Sequence, residues 1–273
     1  MGSGGGRPAS QARRTVAFGL TPELRVEHDP DAVAVAAAER VAQTIRSSVR
    51  RAGAASVALS GGRTPRLLYE RLATAYVDTV PWRQVHVWWG DERFVPAEDP
   101  DSNLRMARET LIGRLPIPAD QIHPIPTTMQ DPAAAADAYE GMLERAFGVR
   151  VPRFDLILLG IGGDGHTASL YPHSSAVRET VRRVVVARAP TPPATRLTLT
   201  FPVLNNAASV QFVATGAEKA SVIQRVLKGS CTPEECPAAG VRPSDGELVW
   251  WVDRAAYPSG SVLPRVRRAE PRS

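Results

Sequence analysis

Phe154-Asp-Leu-Ile-Leu-Leu-Gly-Ile-Gly-Gly-Asp-Gly-His166-Thr-Ala-Ser-Leu-Tyr-Pro172 is the stretch that decides the fold. Its first half, Leu156 to Leu159 with Ile161, is an apolar run without polar alternation. Such a run suits a strand buried on both faces, and periodicity alone leaves a buried helical segment open. Gly160, Gly162, Gly163 and Gly165 then fall within six residues, a density that no helix or strand interior tolerates. The backbone must turn there, or approach something closely. Asp164 and His166 sit in that turn, at the end of a core strand, where open α/β sheets place their ligands.

Outward from this stretch, strands alternate with helices. Asp29-Pro30-Asp31 opens a helix whose Val33, Ala37, Val41, Ile45 and Val49 form one apolar stripe, and Gly53 ends it. Ser56–Leu59 reads as a strand followed by Ser60-Gly-Gly-Arg-Thr-Pro65, with Thr64 expected as the cap and Pro65 as the first residue of a helix to about Ala75. Val85–Trp89 is a strand leading into the loop Gly90-Asp-Glu-Arg93. A helix over Leu104–Ile112 follows, and Asp131-Pro132 starts another that ends at Gly148. Val181–Ala187, Leu197–Thr200 and Val210–Ala214 are rich in β-branched residues and read as strands; Ala217–Leu227 is a helix and Leu248–Val252 a last strand. This alternation predicts an α/β fold with a mostly parallel, doubly covered sheet in a single domain. The expected boundaries are a disordered basic tail over 1–22, with an edge strand possible near Thr15–Phe18, the α/β domain over 23–258, and a basic tail over 259–273.

Composition narrows the function. The net charge of +5 is carried by the tails: residues 1–25 hold four Arg against one Glu, and residues 254–273 five Arg against one Glu. The body is left with 24 basic and 26 acidic residues and no basic stripe, which argues against nucleic acid as a partner. No apolar stretch approaches the roughly 18 residues of a membrane span, and the N-terminus lacks the apolar region of a secretory signal. Cys231 and Cys236 are too few for a disulfide framework or a four-ligand zinc site, so free thiols and a cytoplasmic protein are expected.

Three glycine-bearing loops are candidates for chemistry. Gly61 and Gly62 allow close approach of a ligand, and the helix start at Arg63 and Thr64 offers unpaired amides suited to a phosphate. An ordinary strand-to-helix turn fits the same residues. The loop is neither a Walker A loop nor a dinucleotide fingerprint. Asp91, Glu92 and Arg93 read either as a salt-bridged loop or as part of a site. Ser60 does not sit in a nucleophile elbow, the five histidines show no metal-binding spacing, and nothing points to a metal or cofactor. Thirty-one Arg stand against two Lys, so Lys219, just before a helix, is a candidate for a compact ammonium on a phosphate.

Together these segments resemble the 6-phosphogluconolactonases. The resemblance rests on SGGRTP at 60–65, WWGDERFVP at 88–96 with DSN at 101–103, LLGIGGDGHTASLYP at 158–172, RLTLTFPVLNNA at 196–207, TGAEKA at 215–220 and VWWVDRAA at 249–256. The related glucosamine-6-phosphate deaminases carry Asp-Glu-Tyr where this chain has Asp91-Glu-Arg93, and a Phe-Asn-Glu-Pro stretch where it has Ser169-Leu-Tyr-Pro172. The carboxylate of that stretch is missing here, which argues against deamination. The basic tails and the cysteine loop at 231–236 depart from the usual lactonase, and neither is expected to touch a motif.

The resemblance implies the fold shared with those deaminases and hydrolysis of 6-phospho-D-glucono-1,5-lactone without a metal or cofactor. It leaves as rivals a deaminase or isomerase acting on a hexosamine phosphate, and a sugar-phosphate sensor; residues 1–28 are too short and polar to hold the helix-turn-helix of such sensors. His166 is the expected general base, since an ordinary imidazole is largely neutral at pH 7. Asp164 is expected to orient it or a substrate hydroxyl, and the amides of Gly162 and Gly163 to meet the oxyanion. Gly61, Gly62, Arg63, Thr64 and Lys219 are expected at the phosphate. Arg93 and Arg196 are assigned to phosphate or carbonyl, and Asp91 and Asn103 to sugar hydroxyls. The partner expected is a small phosphorylated sugar lactone, and the chain is expected to be a monomer or a weak homo-oligomer.

Overall fold

The computed structural model describes residues 22–257 and the backbone of residues 267–268. The edge strand expected near Thr15–Phe18 and most of the two tails lie outside the described residues.

Seven strands form one wholly parallel sheet: β1 (Glu23–Glu27), β2 (Ala55–Leu59), β3 (Val85–Trp89), β5 (Leu156–Leu159), β8 (Ser209–Ala214), β9 (Glu247–Asp253) and β10 (Arg267–Arg268). Their order is β10-β1-β9-β8-β5-β2-β3. Successive residues of a strand point to opposite faces. All four residues of β5 have 0% exposure, so both faces of the sheet are covered at its centre. The expected β5 and its burial are thus observed.

The helices form where the caps dictate. In α1 (Pro30–Ala52) the Asp29 carboxylate accepts from Ala32 N, Pro30 starts the first turn, and Gly53 closes the end at φ 81°. Its stripe of Val33, Ala37, Val41 and Ile45 is buried. In α4 (Pro132–Phe147) Asp131 caps the amides of Ala133 and Ala134. The other helices are α2 (Arg63–Ala75), α3 (Asn103–Thr110), the short α5 (Phe201–Leu204) and α6 (Ala220–Lys228). A single 3₁₀ turn over Ala217–Lys219 precedes α6, so the helix expected from Ala217 begins three residues later.

Strand β1, not expected from the sequence, pairs with β9 through Glu23–Glu27. Three expectations need correction. The Asp91–Arg93 segment, expected to be a loop, is strand β4. It belongs to a separate antiparallel sheet, β4-β7-β6, with β6 at Val184–Arg188 and β7 at Thr195–Leu199. The two β-branched segments near 181–200 therefore lie outside the parallel sheet, joined to each other as an antiparallel pair. Third, Thr64 does not cap α2; Gly62 holds that place at φ 115°, one residue before Arg63.

Parallel strands all end at the same edge, and the order β8-β5-β2-β3 sets four of those ends side by side. The loops after them are the stretches beginning at Thr215, Gly160, Ser60 and Gly90. Two buried tyrosines fix two of them. Tyr69 of α2 donates to Ser60 O at 2.8 Å and accepts from Ser60 N at 2.9 Å. Tyr139 of α4 does the same to the backbone of Trp89, at 3.1 and 2.9 Å. Burial pushes both phenols well above the ordinary tyrosine range, so both remain donors.

Candidate active site

The four strand-end loops enclose a cleft of about 810 Å³. All of the candidate residues named from the sequence line it: Gly61, Gly62, Arg63, Thr64, Asp91, Arg93, Asn103, Gly162, Gly163, Asp164, His166, Arg196 and Lys219.

The loop after β5 brings Asp164 and His166 together. Nδ1 of His166 lies 2.6 Å from Oδ1 of Asp164, which also accepts from His166 N at 3.1 Å. Burial works to raise the Asp164 pKa, but the hydrogen bonds and charge of His166 outweigh it and hold the carboxyl below its ordinary value. An ionised Asp164 accepts the Nδ1 proton of a neutral imidazole and leaves the Nε2 lone pair for chemistry. The glycines make this arrangement possible. A Cβ on Gly162 would overlap the His166 ring and come within 2.6 Å of Asp164 Oδ1. Gly165 turns at φ 91°. The Gly162 amide, expected to face an oxyanion, instead donates to His166 O at 2.9 Å. It is spent on the turn and cannot serve a ligand. The Tyr171 ring packs on His166 with centroids 4.7 Å apart and also lines the cleft.

The loop after β3 enters as β4, whose register pairs Asp91 with Thr198, Glu92 with Leu197 and Arg93 with Arg196. Strand alternation sends Asp91 and Arg93 into the cleft and Glu92 away from it. Asp91 accepts from the Ser169 hydroxyl at 2.7 Å, which links this loop to the one carrying His166. Asn103 donates to Asp91 O at 2.9 Å, and its own Oδ1 is buried without a partner among the described residues. Arg196 has 7% exposure, and its Nε is likewise unpartnered. Burial and the charge of Arg93 both lower its pKa. Two guanidinium groups on facing strands, one of them buried and incompletely bonded, make a place suited to an anion.

The loop after β2 and the turn before α6 form a second cationic group. Gly61 lies against Asn103, whose side-chain amide a Cβ at 61 would overlap. Thr64 and Thr215 share a hydroxyl hydrogen bond at 2.9 Å, tying the start of α2 to the end of β8. Lys219 is half-buried; desolvation lowers its pKa, as does Arg63, against the opposite pull of Glu218. Arg63 is almost wholly exposed and lies 3.7 Å from Glu218. The first amides of α2 have no intrahelical acceptor and face the same space. Arg63, Arg93, Arg196 and Lys219 thus oppose Asp91, Asp164 and Glu218 around the cleft.

Sequence reasoning left out Ser169, Tyr171, Thr215 and Glu218. All lie inside the quoted motifs, but only spatial neighbours distant in the chain reveal what they touch. Cys236 was expected to touch no motif, yet a Cβ on Gly165 would come within 3.0 Å of its Cα and Cβ. Among the described residues no group of three or more His, Cys, Asp or Glu is placed to hold a metal ion, and no helix is long and apolar enough to cross a membrane.

The family profile described as glucosamine-6-phosphate isomerases/6-phosphogluconolactonase matches residues 28–250. The 6-phosphogluconolactonase of Synechocystis sp. is 42% identical over 219 residues, covering 79% of this chain and 89% of that one. The structure of 6-phosphogluconolactonase from Trypanosoma cruzi aligns with a TM-score of 0.80 at 30% identity, covering 89% of this chain and 99% of that one. A monomeric glucosamine-6-phosphate deaminase aligns with a TM-score of 0.72 at 19% identity, a likeness of fold.

Proposed function

The chain belongs to the glucosamine-6-phosphate isomerase/6-phosphogluconolactonase family, and from that membership we propose that it hydrolyses 6-phospho-D-glucono-1,5-lactone to 6-phosphogluconate. The observation that carries this reading is the Asp164–His166 pair facing the same cleft as four cationic side chains.

A δ-lactone is an activated ester, so the reaction needs an activated water, a stabilised oxyanion and a proton for the departing ring oxygen. His166 Nε2 takes a proton from water as the water oxygen bonds to C1. Asp164 holds the Nδ1 side and stabilises the imidazolium that forms, a role its low pKa supports. The Gly163 amide, which has no partner among the described residues, and the Arg93–Arg196 pair are the groups available for the oxyanion. When the bond from C1 to the ring oxygen breaks, the imidazolium returns its proton to that oxygen, and the carboxylic acid product ionises. No covalent intermediate and no metal ion is required.

Lys219, Arg63 and the amides at the start of α2 bind the phosphate, with the Gly61–Thr64 loop as its cradle. Asp91 and Asn103 hold sugar hydroxyls; the unpartnered Asn103 Oδ1 supports that assignment. In the loop after β5, Tyr171 stands where the deaminase motif would bring its carboxylate, and its ring packs on His166. That substitution favours lactone hydrolysis over deamination.

A pH-stat assay on fresh lactone, corrected for spontaneous hydrolysis, tests the reading. Acceleration well above the spontaneous rate, with no ammonia released from glucosamine 6-phosphate, is the expected result. Ammonia release without lactone hydrolysis would overturn it.

A further inference from the structure

Glu92 is the one carboxylate of the three-residue strand β4 that the proposed chemistry does not use. It has 2% exposure and points away from the cleft. Its oxygens accept from Arg93 N at 2.7 Å, Asn103 N at 2.8 Å, Leu104 N at 2.7 Å and the Ser102 hydroxyl at 3.3 Å. Two of these amides open α3, so a single carboxylate satisfies donors that otherwise lack acceptors at a helix start. The same contacts join β4 to α3 across the nine residues of chain between them.

Every residue tied in this way neighbours or belongs to the cleft wall. Asp91 and Arg93 flank Glu92 on the strand, and Asn103 is the first residue of α3. Asn103 in turn donates to Asp91 O and lies against Gly61, so its position also sets the loop after β2. We propose that Glu92 is a positioning residue: by holding the amides of Arg93, Asn103 and Leu104 it sets Asp91, Arg93 and Asn103 against the sugar. This rests on the lactonase reading of the cleft.

Burial pushes the Glu92 pKa up to about 7, against the pull of its backbone hydrogen bonds, and Asp91 adds to the rise. Around it stand Asp91 on its own strand, the hydroxyl of Ser102, which caps α3, and the Tyr139 phenol from α4; its partner on β7 is the apolar Leu197. Arg93 and Arg196 turn their guanidinium groups to the cleft side. Protonation replaces an acceptor with a donor facing three N–H groups, so the clamp loosens as pH falls through that value.

The test compares Glu92→Gln and Glu92→Asp with the wild type, after circular dichroism establishes folding. In the Gln variant the amide nitrogen opposes backbone donors, and KM for the lactone is expected to rise about tenfold while kcat stays within about threefold. The wild-type KM is expected to rise on acidification through about pH 7, and the Gln variant to lose that rise. Titration of the substrate phosphate is common to both proteins and cancels in the comparison. If the Gln variant does not fold, the Asp variant carries the test: it keeps the charge but reaches fewer amides, and its KM is expected to rise about threefold at unchanged kcat. A variant KM within twofold of wild type at pH 8 in the Gln protein, or a wild-type KM in the Asp protein where only that one folds, overturns the proposal. So does an undiminished acid rise in the Gln variant. An active wild type with indifferent variants sinks the Glu92 role alone, whereas an inactive wild type sinks the lactonase reading with it.

Discussion

Replacing Gly162 by alanine separates catalysis from stability more cleanly than any other single change in this cleft. Gly162 does not have the positive φ of Gly165, so an alanine backbone is tolerated there. The added methyl would overlap Nδ1 and Cε1 of His166 and lie 2.6 Å from Asp164 Oδ1, where ordinary contact begins near 3.4 Å. The carboxylate must therefore retreat by about 0.8 Å, and the imidazole, which is closer, by more. Both are ends of side chains at the cleft surface, so the protein accommodates the methyl by rotating them rather than by moving backbone. The 2.6 Å contact between them is then lost. A charge-assisted hydrogen bond contributes about 1.5–3 kcal/mol when buried, and this half-exposed one is screened toward the lower end or below it. Thermal unfolding should shift by only a few degrees. The catalytic loss is larger, because a misplacement on the order of 1 Å costs about 100-fold in rate, equivalent to about 2.7 kcal/mol of barrier. Initial rates on fresh lactone, with KM and kcat resolved, are the assay. The account expects kcat down about 100-fold with KM nearly unchanged. A Gly162→Ala protein with kcat within twofold of wild type would refute the claim that the Asp164–His166 geometry governs the rate.

Other consequences are equally concrete. Lys219→Ala should raise KM about 10- to 100-fold with little change in kcat, since a charged hydrogen bond to phosphate is worth about 1.5–3 kcal/mol; an unchanged KM removes Lys219 from the phosphate site. Because desolvation lowers the Lys219 pKa, its charge is lost at a less alkaline pH than for an exposed lysine. Binding of 6-phosphogluconate, followed by calorimetry, should weaken on that alkaline side, and Lys219→Arg should delay the weakening. Tyr69→Phe strips the partner from both backbone groups of Ser60 and should destabilise the fold by about 1–3 kcal/mol in chemical denaturation. Dialysis against a chelator should leave lactone hydrolysis at its original rate.

The parts of the fold legible in the sequence are those written locally. Leu156–Leu159 carries no polar residue, and both faces of its strand are buried. Asp29-Pro30 and Gly53 bracket α1 because capping chemistry acts within one turn. Strand β4 was not legible: Asp91-Glu92-Arg93 has no strand propensity, and its pairing partner lies about a hundred residues away on β7. The β-branched residues of β6 and β7 announce strands without saying whether the pairing is parallel or antiparallel. In the cleft, the glycine loops drew attention because glycine density has few uses, and each lines the site. The Ser169–Asp91 bond, the Tyr171 ring on His166 and the Glu92 clamp join loops distant in sequence, so composition and spacing could not show them. The Gly162 amide looked available for the same reason: its acceptor, His166 O, becomes apparent only once the turn is built.

The central claim is that His166 activates water for attack on the lactone. Its most direct test is kcat for His166→Ala against wild type, measured by pH-stat on fresh 6-phosphogluconolactone with the spontaneous rate subtracted. General-base catalysis contributes about 10²–10⁴-fold, so the account predicts a kcat at least 100-fold below wild type, with 6-phosphogluconate still binding. A His166→Ala protein that hydrolyses the lactone at the wild-type rate would contradict it.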